Sequence, residues 1–183
     1  MNNKIEHCNL LVIGKKGIGK TSILNLAGNI KQTIPYSNVE TIVDSYGSIW
    51  QHSINNNRLC VGFWDTYDPR LCSRPITELQ YWAKSLVMIC YAANDINSLN
   101  STIDRFVPYI KLACPQSPCV LAGLRSDEKL PNQIPPNHLD IEAAMQKSEA
   151  ISARSFSIVT TQMQEIRDFI IESYFESIKR KKK

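Results

Sequence analysis

The chain has 183 residues, of which 43% are hydrophobic, so it is long enough for one domain with a buried core. Its net charge is +4, but Lys179–Lys183 alone carry five positive charges. The rest of the chain therefore has a net charge of −1, the total less these five. A nearly neutral body lacks the basic surface of a nucleic-acid-binding protein, which excludes that class. We predict one domain over residues 1–178 and a basic tail over residues 179–183.

Apolar runs, cysteines and histidines bear on the cellular compartment. No apolar run approaches the roughly 20 residues of a membrane span, and the N-terminal stretch MNNKIEHCNL lacks a signal-peptide pattern. The six cysteines include no C-x-x-C pair, and the three histidines lack metal-ligand spacing. We therefore expect a cytoplasmic protein with reduced, structural cysteines.

Short apolar runs alternate with helical patterns along the chain. Strand patterns occupy residues 8–14, 41–54, 58–64, 85–93 and 118–124, and helical patterns occupy residues 19–29, 98–112, 137–148 and 161–179. An Asn-rich turn after residue 54 predicts a hairpin, and Pro108 should bend or interrupt its helix. The alternation predicts an α/β fold, with a mostly parallel six-stranded sheet, one antiparallel edge strand and helices on both faces.

The stretch GKKGIGKT (14–21) matches the pattern G-x-x-x-x-G-K-[ST] directly after the first strand and at the beginning of the first helix. Successive backbone N–H groups in such a loop bind a β-phosphate, and the helix N-terminus favours the negative charge. Lys20 would reach the β- and γ-phosphates, and the Thr21 hydroxyl would bind Mg²⁺. A chance match in a glycine-containing turn is the alternative, but the flanking strand and helix favour a phosphate site.

Four further stretches give the sequence a resemblance to the Ras superfamily of small GTPases, and to its Rho branch in particular. NVETIVDSY (38–46) resembles the Rho switch I segment, and WDT (64–66) is similar to the opening of the DTAGQ motif. GLRSD (123–127) stands in the place of the G-[NT]-K-x-D guanine motif, and SAR (152–154) resembles the SAK loop before the last helix. The resemblance covers roughly residues 5–178. It implies a P-loop small G domain that binds GTP or GDP with Mg²⁺.

The resemblance also implies roles for single residues. Thr41 and Asp65 would hold Mg²⁺, Asp65 through water, and Thr41 would contact the γ-phosphate. The Asp127 carboxylate would accept hydrogen bonds from N1–H and N2–H₂ of guanine, a donor pair that adenine lacks, while the Ala153 backbone N–H would donate to O6. The implied nucleotide-binding residues are Gly14, Lys16, Gly17, Ile18, Gly19, Lys20, Thr21, Ser22, Thr41, Arg125, Asp127, Ser152, Ala153 and Arg154. The implied metal ligands are Thr21, Thr41 and Asp65.

Two departures from the family pattern concern guanine recognition. Leu124 replaces an asparagine or threonine that supports the base, and it cannot make the hydrogen bonds. Arg125 replaces a lysine, but its stem and planar head can still cover a ring face. The interval between Asp127 and Ser152 is also too short for the extra helix of the Rho branch.

Three other departures concern hydrolysis. Pro69 stands at the usual glutamine and has neither an amide side chain to orient water nor a backbone N–H, so no catalytic residue is expected there. Asp68 replaces a glycine that contacts the γ-phosphate, and Lys16 replaces a glycine of the phosphate loop. Lys16 and Asp68 would form an ion pair across the γ-phosphate; alternatively, Lys16 is solvated and Asp68 points outward.

These features predict an atypical Rho-like GTPase that hydrolyses GTP slowly or not at all. It would act as a monomer through effector proteins that bind the switch regions, with Trp50 as a candidate partner contact. The basic tail would give reversible contact with anionic membranes. The alternatives are a scaffold protein with a degenerate nucleotide pocket, and a small-molecule kinase, whose Arg-rich lid we do not find.

Overall fold

The structure of the protein is a computed structural model that describes residues 5–29, 43–51, 58–66, 85–127, 131–157 and 160–181. Strands and helices alternate through these segments. In chain order they are β1 (Ile5–Gly14), α1 (Lys20–Gly28), β2 (Val43–Gln51), β3 (Arg58–Thr66), β4 (Leu86–Ala92), α2 (Ile96–Ala113), β5 (Cys119–Leu124), α3 (His138–Ser148), β6 (Ala150–Phe156) and α4 (Met163–Lys181).

The six strands of the described segments form one sheet in the order β2-β3-β1-β4-β5-β6. β2 runs antiparallel to β3, and the other neighbouring pairs are parallel. The carboxyl ends of parallel strands share one edge of the sheet, so β1, β3, β4 and β5 all end there, which is where α/β proteins bind ligands. Val12 of β1 pairs with Asp65 of β3 and with Met88 of β4. The α/β fold of parallel strands and helices that the sequence predicts is confirmed.

The sheet is covered on both faces, and β1 shows why its sequence is a continuous apolar run. Leu10 and Val12 lie in a core with residues of α1 and α4, whereas Leu11 and Ile13 lie in a second core with residues of α2 and α3. All four side chains are fully buried. A strand buried on both faces has no solvent-facing position, so the apolar and polar alternation of a half-exposed strand is absent.

Helix α2 contains a proline but is continuous. The Asp95 carboxylate caps its first turn by accepting a hydrogen bond from the backbone N–H of Asn97 at 2.9 Å. Pro108 lies inside the helix, so of the two expected effects the interruption does not occur, and the bend stays a prediction. Val107 and Ile110, on either side of the proline, are buried in the core beneath α2. This packing holds the helix together across the lost backbone hydrogen bond.

The cysteines in the described segments are thiols that form no disulfide: Cys8, Cys60, Cys90, Cys114 and Cys119. Burial raises the pKa of the Cys90 thiol to about 12 and that of Cys114 to about 11. Within the same segments, no group of three or more His, Cys, Asp or Glu side chains could hold a metal ion. No helix there is long and apolar enough to cross a membrane.

The basic end of the chain continues the last helix. Helix α4 runs to Lys181 and therefore includes Lys179 and Arg180. The Arg180 guanidinium lies 3.3 Å from a carboxylate oxygen of Glu176, one turn earlier. Part of the predicted tail is thus helical.

Candidate functional site

The phosphate loop joins the end of β1 to the beginning of α1. Gly17 and Gly19 have φ angles of +83° and +99°, a left-handed conformation that glycine adopts at no steric cost. Gly19 is the N-cap of α1, so the N–H groups of the first helical turn point out of the helix toward this loop. Such groups, together with the helix dipole, form an anion-binding site.

Gly14 is required by the close approach of two strands. A Cβ atom at this position would lie 2.4 Å from the backbone carbonyl oxygen of Cys90 on β4 and 3.1 Å from the Cδ1 atom of Ile18. Ile18, although it lies in the phosphate loop, is buried in the core with residues of α1. The loop is therefore anchored at its first residue by backbone packing and near its centre by an apolar side chain.

Lys20 places a cation inside the loop. Its side chain is buried, and Nζ donates hydrogen bonds to the carbonyl oxygens of Gly14 at 3.0 Å and Lys15 at 3.1 Å. These two acceptors take two of the three ammonium N–H groups and do not neutralise the charge. The positive charge is therefore held next to the backbone N–H groups that would bind phosphate oxygens.

Thr21 and Asp65 meet next to the loop. The Thr21 hydroxyl donates to the carboxylate of Asp65, and Asp65 is buried at the end of β3. A hydroxyl oxygen and a carboxylate fit Mg²⁺, which takes oxygen ligands and usually combines one or two carboxylates with substrate phosphates. We call residues 14–21 together with Asp65 the phosphate side.

The residues after β5 lie beside the phosphate loop. Arg125 has a φ of +63°, and its Nη1 atom donates to the carbonyl oxygen of Gly17 at 3.5 Å. The backbone N–H of Ser126 donates to the carbonyl oxygen of Phe156 at 3.2 Å, and Asp127 is exposed. The structure thus brings Arg125 and Asp127 to the same edge of the sheet as the phosphate loop.

The assignment of Ser152–Arg154 to a loop before the last helix is wrong, because these residues lie within β6. Ala153 pairs with Leu121 in the middle of β5, away from the edge that carries Asp127. The Ser152 hydroxyl is 2.9 Å from that of Ser173 on α4. Arg154 likewise faces α4, where Nη2 lies 3.6 Å from a Glu172 carboxylate oxygen. Ser152 and Arg154 therefore contact α4, and Ala153 pairs with β5.

Ser157, which the sequence prediction does not include, lies at the same edge of the sheet as Asp127. It directly follows β6, is buried, and its hydroxyl accepts a hydrogen bond from the backbone N–H of Thr160 at 3.0 Å. The sequence signal for it is a serine between β6 and the last helix, but the pair Ser152 and Ala153 resembles the family motif, so the prediction chooses that pair. We call residues 124–127 together with Phe156 and Ser157 the base side.

Some of the predicted site residues lie outside the described residues: Thr41, Asp68 and Pro69, together with the side chain of Trp50. Their roles in metal binding, hydrolysis and partner recognition stay predictions. Lys16 is exposed in the phosphate loop, and its pairing with Asp68 is likewise untested.

Comparison with known proteins agrees with this geometry. A model of the Ras family matches residues 9–180. GTP-binding protein RHO4 of Saccharomyces cerevisiae is 30% identical over 121 residues, which cover 66% of this chain and 40% of that protein. GTP-binding protein rho4 of Schizosaccharomyces pombe is 28% identical over 118 residues (64% and 57%). The human Rho-related GTP-binding protein RhoE is 26% identical over 125 residues (68% and 49%). The chain thus spans about half the length of these relatives.

Proposed function

This chain belongs to the Ras family, and from that premise we propose that it is an atypical Rho-like small GTPase, a GTP- and GDP-binding switch that signals through effector proteins. The observation that carries the proposal is the convergence of Lys20, Thr21 and Asp65 around one loop at the carboxyl edge of the sheet. A cation, a hydroxyl and a carboxylate in this arrangement suit a nucleotide phosphate with its magnesium ion.

The residues of each side then have distinct tasks. The backbone N–H groups of residues 14–21 and the Lys20 ammonium would bind the phosphates, and Thr21 and Asp65, together with Thr41, would hold Mg²⁺. The ion, when bound, offsets the negative charge of the phosphates. On the base side the Asp127 carboxylate accepts from N1–H and N2–H₂ of guanine, and Arg125 covers one face of the ring. We assign the donor to O6 to the turn that begins at Ser157, in place of Ala153.

We further propose that hydrolysis is slow or absent. Pro69 offers no amide to orient the attacking water, and Asp68 adds negative charge near the γ-phosphate. Lys16 is exposed in the phosphate loop, where its side chain occupies space that a glycine would leave open. The switch would therefore stay in its GTP form, and its control would rest on expression or localisation.

The first test identifies the nucleotide that the purified protein carries. The protein is denatured immediately after purification, and the released nucleotide is separated by ion-exchange chromatography. We expect GTP. Released GDP would mean that hydrolysis proceeds by another route and would contradict the assignment at Pro69.

A second test restores the missing groups. The double variant Pro69→Gln with Lys16→Gly should raise the single-turnover hydrolysis rate by roughly tenfold or more, since the glutamine amide orients the attacking water and a misplacement of a reacting group by about 1 Å can cost about 10²-fold. Pro69→Ala with Lys16→Gly is the matched control, because alanine removes the backbone restriction of proline but has no amide side chain to orient water. Equal rates for the two double variants would show that the glutamine position is not what limits hydrolysis.

One observation favours a second candidate function, a scaffold with a degenerate nucleotide pocket. Leu124 is fully buried and presents no polar group to a base. If nucleotide-free protein shows no rise in melting temperature on addition of GTP and Mg²⁺, the scaffold is the better assignment. A saturable rise with GTP, absent with ATP, supports the switch.

We also propose that the protein works as a cytoplasmic monomer with reversible membrane contact through the basic end of α4. Lys179, Arg180 and Lys181 lie together on the last turn, and each basic residue near anionic lipid contributes about 1 kcal/mol. Sedimentation with phosphatidylserine vesicles should capture the protein at low salt and release it at high salt. Capture that does not depend on salt concentration would exclude an electrostatic contact.

A further inference from the structure

Two apolar residues end the strands that carry the base side. Leu124 is the last residue of β5 and Phe156 the last residue of β6, and the two are paired in the sheet register. Leu124 is fully buried, and Phe156 is 2% exposed. Residues 125–127 and Ser157 follow immediately after these residues, so the positions of Leu124 and Phe156 fix where the rest of the base side begins.

This pair belongs to the same core as the phosphate loop. Leu124, Phe156 and Ile18 all lie in the apolar cluster beneath α1 and α4. The ring of Phe156 packs edge-on against that of Phe169 on α4, with centroids 5.5 Å apart. The Arg154 guanidinium lies 5.3 Å from the centre of the Phe169 ring, which continues the packing toward solvent.

Backbone hydrogen bonds extend from the pair to the neighbouring loops. The carbonyl oxygen of Phe156 accepts from the N–H of Ser126, which ties the segment after β5 to the end of β6. The carbonyl oxygen of Leu124 accepts from the N–H of Ala93 at 2.7 Å, which ties β5 to the loop after β4. A shift of either strand end would therefore move the base side as a whole.

We propose that Leu124 and Phe156 form an apolar brace, a pair of positioning residues that holds the base side in register with the phosphate loop by packing. The proposal rests on the proposed nucleotide-binding function. In this proposal Leu124 has a packing role and does not contact the base. Replacement by a polar residue would bury an amide among apolar side chains, which costs free energy unless every hydrogen bond is satisfied. Leu124→Asn should therefore weaken nucleotide binding, although asparagine is a residue that the family pattern has at this position.

The test compares two truncations in the same core. Leu124→Ala removes the brace, and Leu86→Ala is the matched control, because Leu86 is fully buried in the same cluster but begins β4 at the opposite edge of the sheet. Melting temperature, affinity for a fluorescent GDP analogue with Mg²⁺, and hydrogen exchange of the Ser126 amide are measured for each variant. If Leu124→Ala does not fold, Leu124→Val takes its place.

We expect both alanine variants to melt at lower temperature by similar amounts. Only Leu124→Ala should weaken nucleotide affinity, by about tenfold, and accelerate exchange at Ser126. Leu124→Met, which conserves volume, should restore most of both properties. Equal nucleotide affinities of the two alanine variants, or tighter binding by Leu124→Asn at an unchanged melting temperature, would overturn the brace.

The brace and the proposed function can fail separately. If wild-type protein binds no guanine nucleotide, the proposed function fails. Hydrogen exchange of the Ser126 amide in nucleotide-free protein still tests the brace, since the packing of Leu124 and Phe156 needs no ligand. Unchanged Ser126 exchange in Leu124→Ala would reject it even where nucleotide binds well.

Discussion

The phosphate side and the base side of the candidate site are held together by different interactions. On the phosphate side, a buried ammonium bonds to carbonyl oxygens of its own loop, and a hydroxyl bonds to a buried carboxylate. On the base side, the ends of two strands are joined by the apolar pair Leu124 and Phe156. Polar groups that would touch a ligand are thus built into the phosphate side, whereas the base side is positioned mainly from beneath by the core.

This difference has an energetic consequence. Charge-assisted hydrogen bonds to a phosphate contribute more than neutral ones, about 1.5–3 kcal/mol each. The Asp127 carboxylate is exposed, where water competes for it. Most of the nucleotide affinity should therefore come from the phosphate side, and most of the choice between bases from the base side.

The largest expected effect is the loss of the Lys20 cation. Lys20→Ala should reduce affinity for a fluorescent GDP analogue by roughly 100-fold or more, because it removes charge-assisted bonds to the phosphates. Lys15→Ala is the matched control, since Lys15 is exposed in the same loop and its carbonyl, which accepts from Lys20, is retained. Similar affinities for the two variants would mean that the phosphate side does not dominate binding.

The second effect is on the choice of base. Asp127→Asn should weaken GTP binding by about 10–100-fold and strengthen binding of xanthosine triphosphate. The new amide donates to the C2 carbonyl of xanthine, whereas in the wild type that oxygen would face a carboxylate. Competition of GTP and of xanthosine triphosphate against the fluorescent analogue measures the change in nucleotide preference. Asp104→Asn, the same change at an exposed residue of α2, should leave the preference unaltered.

The sequence predicts the two sides unequally well. The phosphate loop is one contiguous motif between a strand and a helix, so its placement can be read from the sequence. The base side depends on where β6 ends, and the pattern around Ser152 does not give the length of that strand. Ser152 and Arg154 are two residues apart, and both face α4. Alternate residues of a strand lie on the same face of the sheet, so these polar side chains indicate a strand that packs against a helix and not a loop. The burial of Leu124 against Phe156 depends on register, which a single sequence does not reveal.

A third effect concerns the spacing of the base-side strands. A Cβ atom at Gly123 would lie 2.9 Å from the Tyr91 ring and 2.8 Å from the Ser155 hydroxyl. Gly123→Ala should lower the free energy of unfolding by about 1–3 kcal/mol, the range for overpacked cores. Gly62→Ala is the control, because its Cβ atom would lie 3.1 Å from the Oδ1 atom of Asn9, at the end of that side chain, and 3.7 Å from the Nε1 atom of Trp64, which is an ordinary contact distance. Urea denaturation measures the free energy of unfolding of the two variants. Equal losses of this free energy would mean that β5 and β6 adjust freely at this point.

The smallest expected effect is at the residue that joins the two sides directly. Arg125 donates to the Gly17 carbonyl over 3.5 Å and is only half-buried, so this bond should contribute less than about 1 kcal/mol. Arg125→Lys keeps the charge but loses the planar head that can cover a ring face. We expect it to accelerate nucleotide dissociation only a few-fold, with no change in melting temperature. If the apolar brace holds the base side in place, this surface link adds little to it. Acceleration well beyond tenfold would show instead that Arg125, and not the packing of Leu124 against Phe156, carries the connection between the two sides.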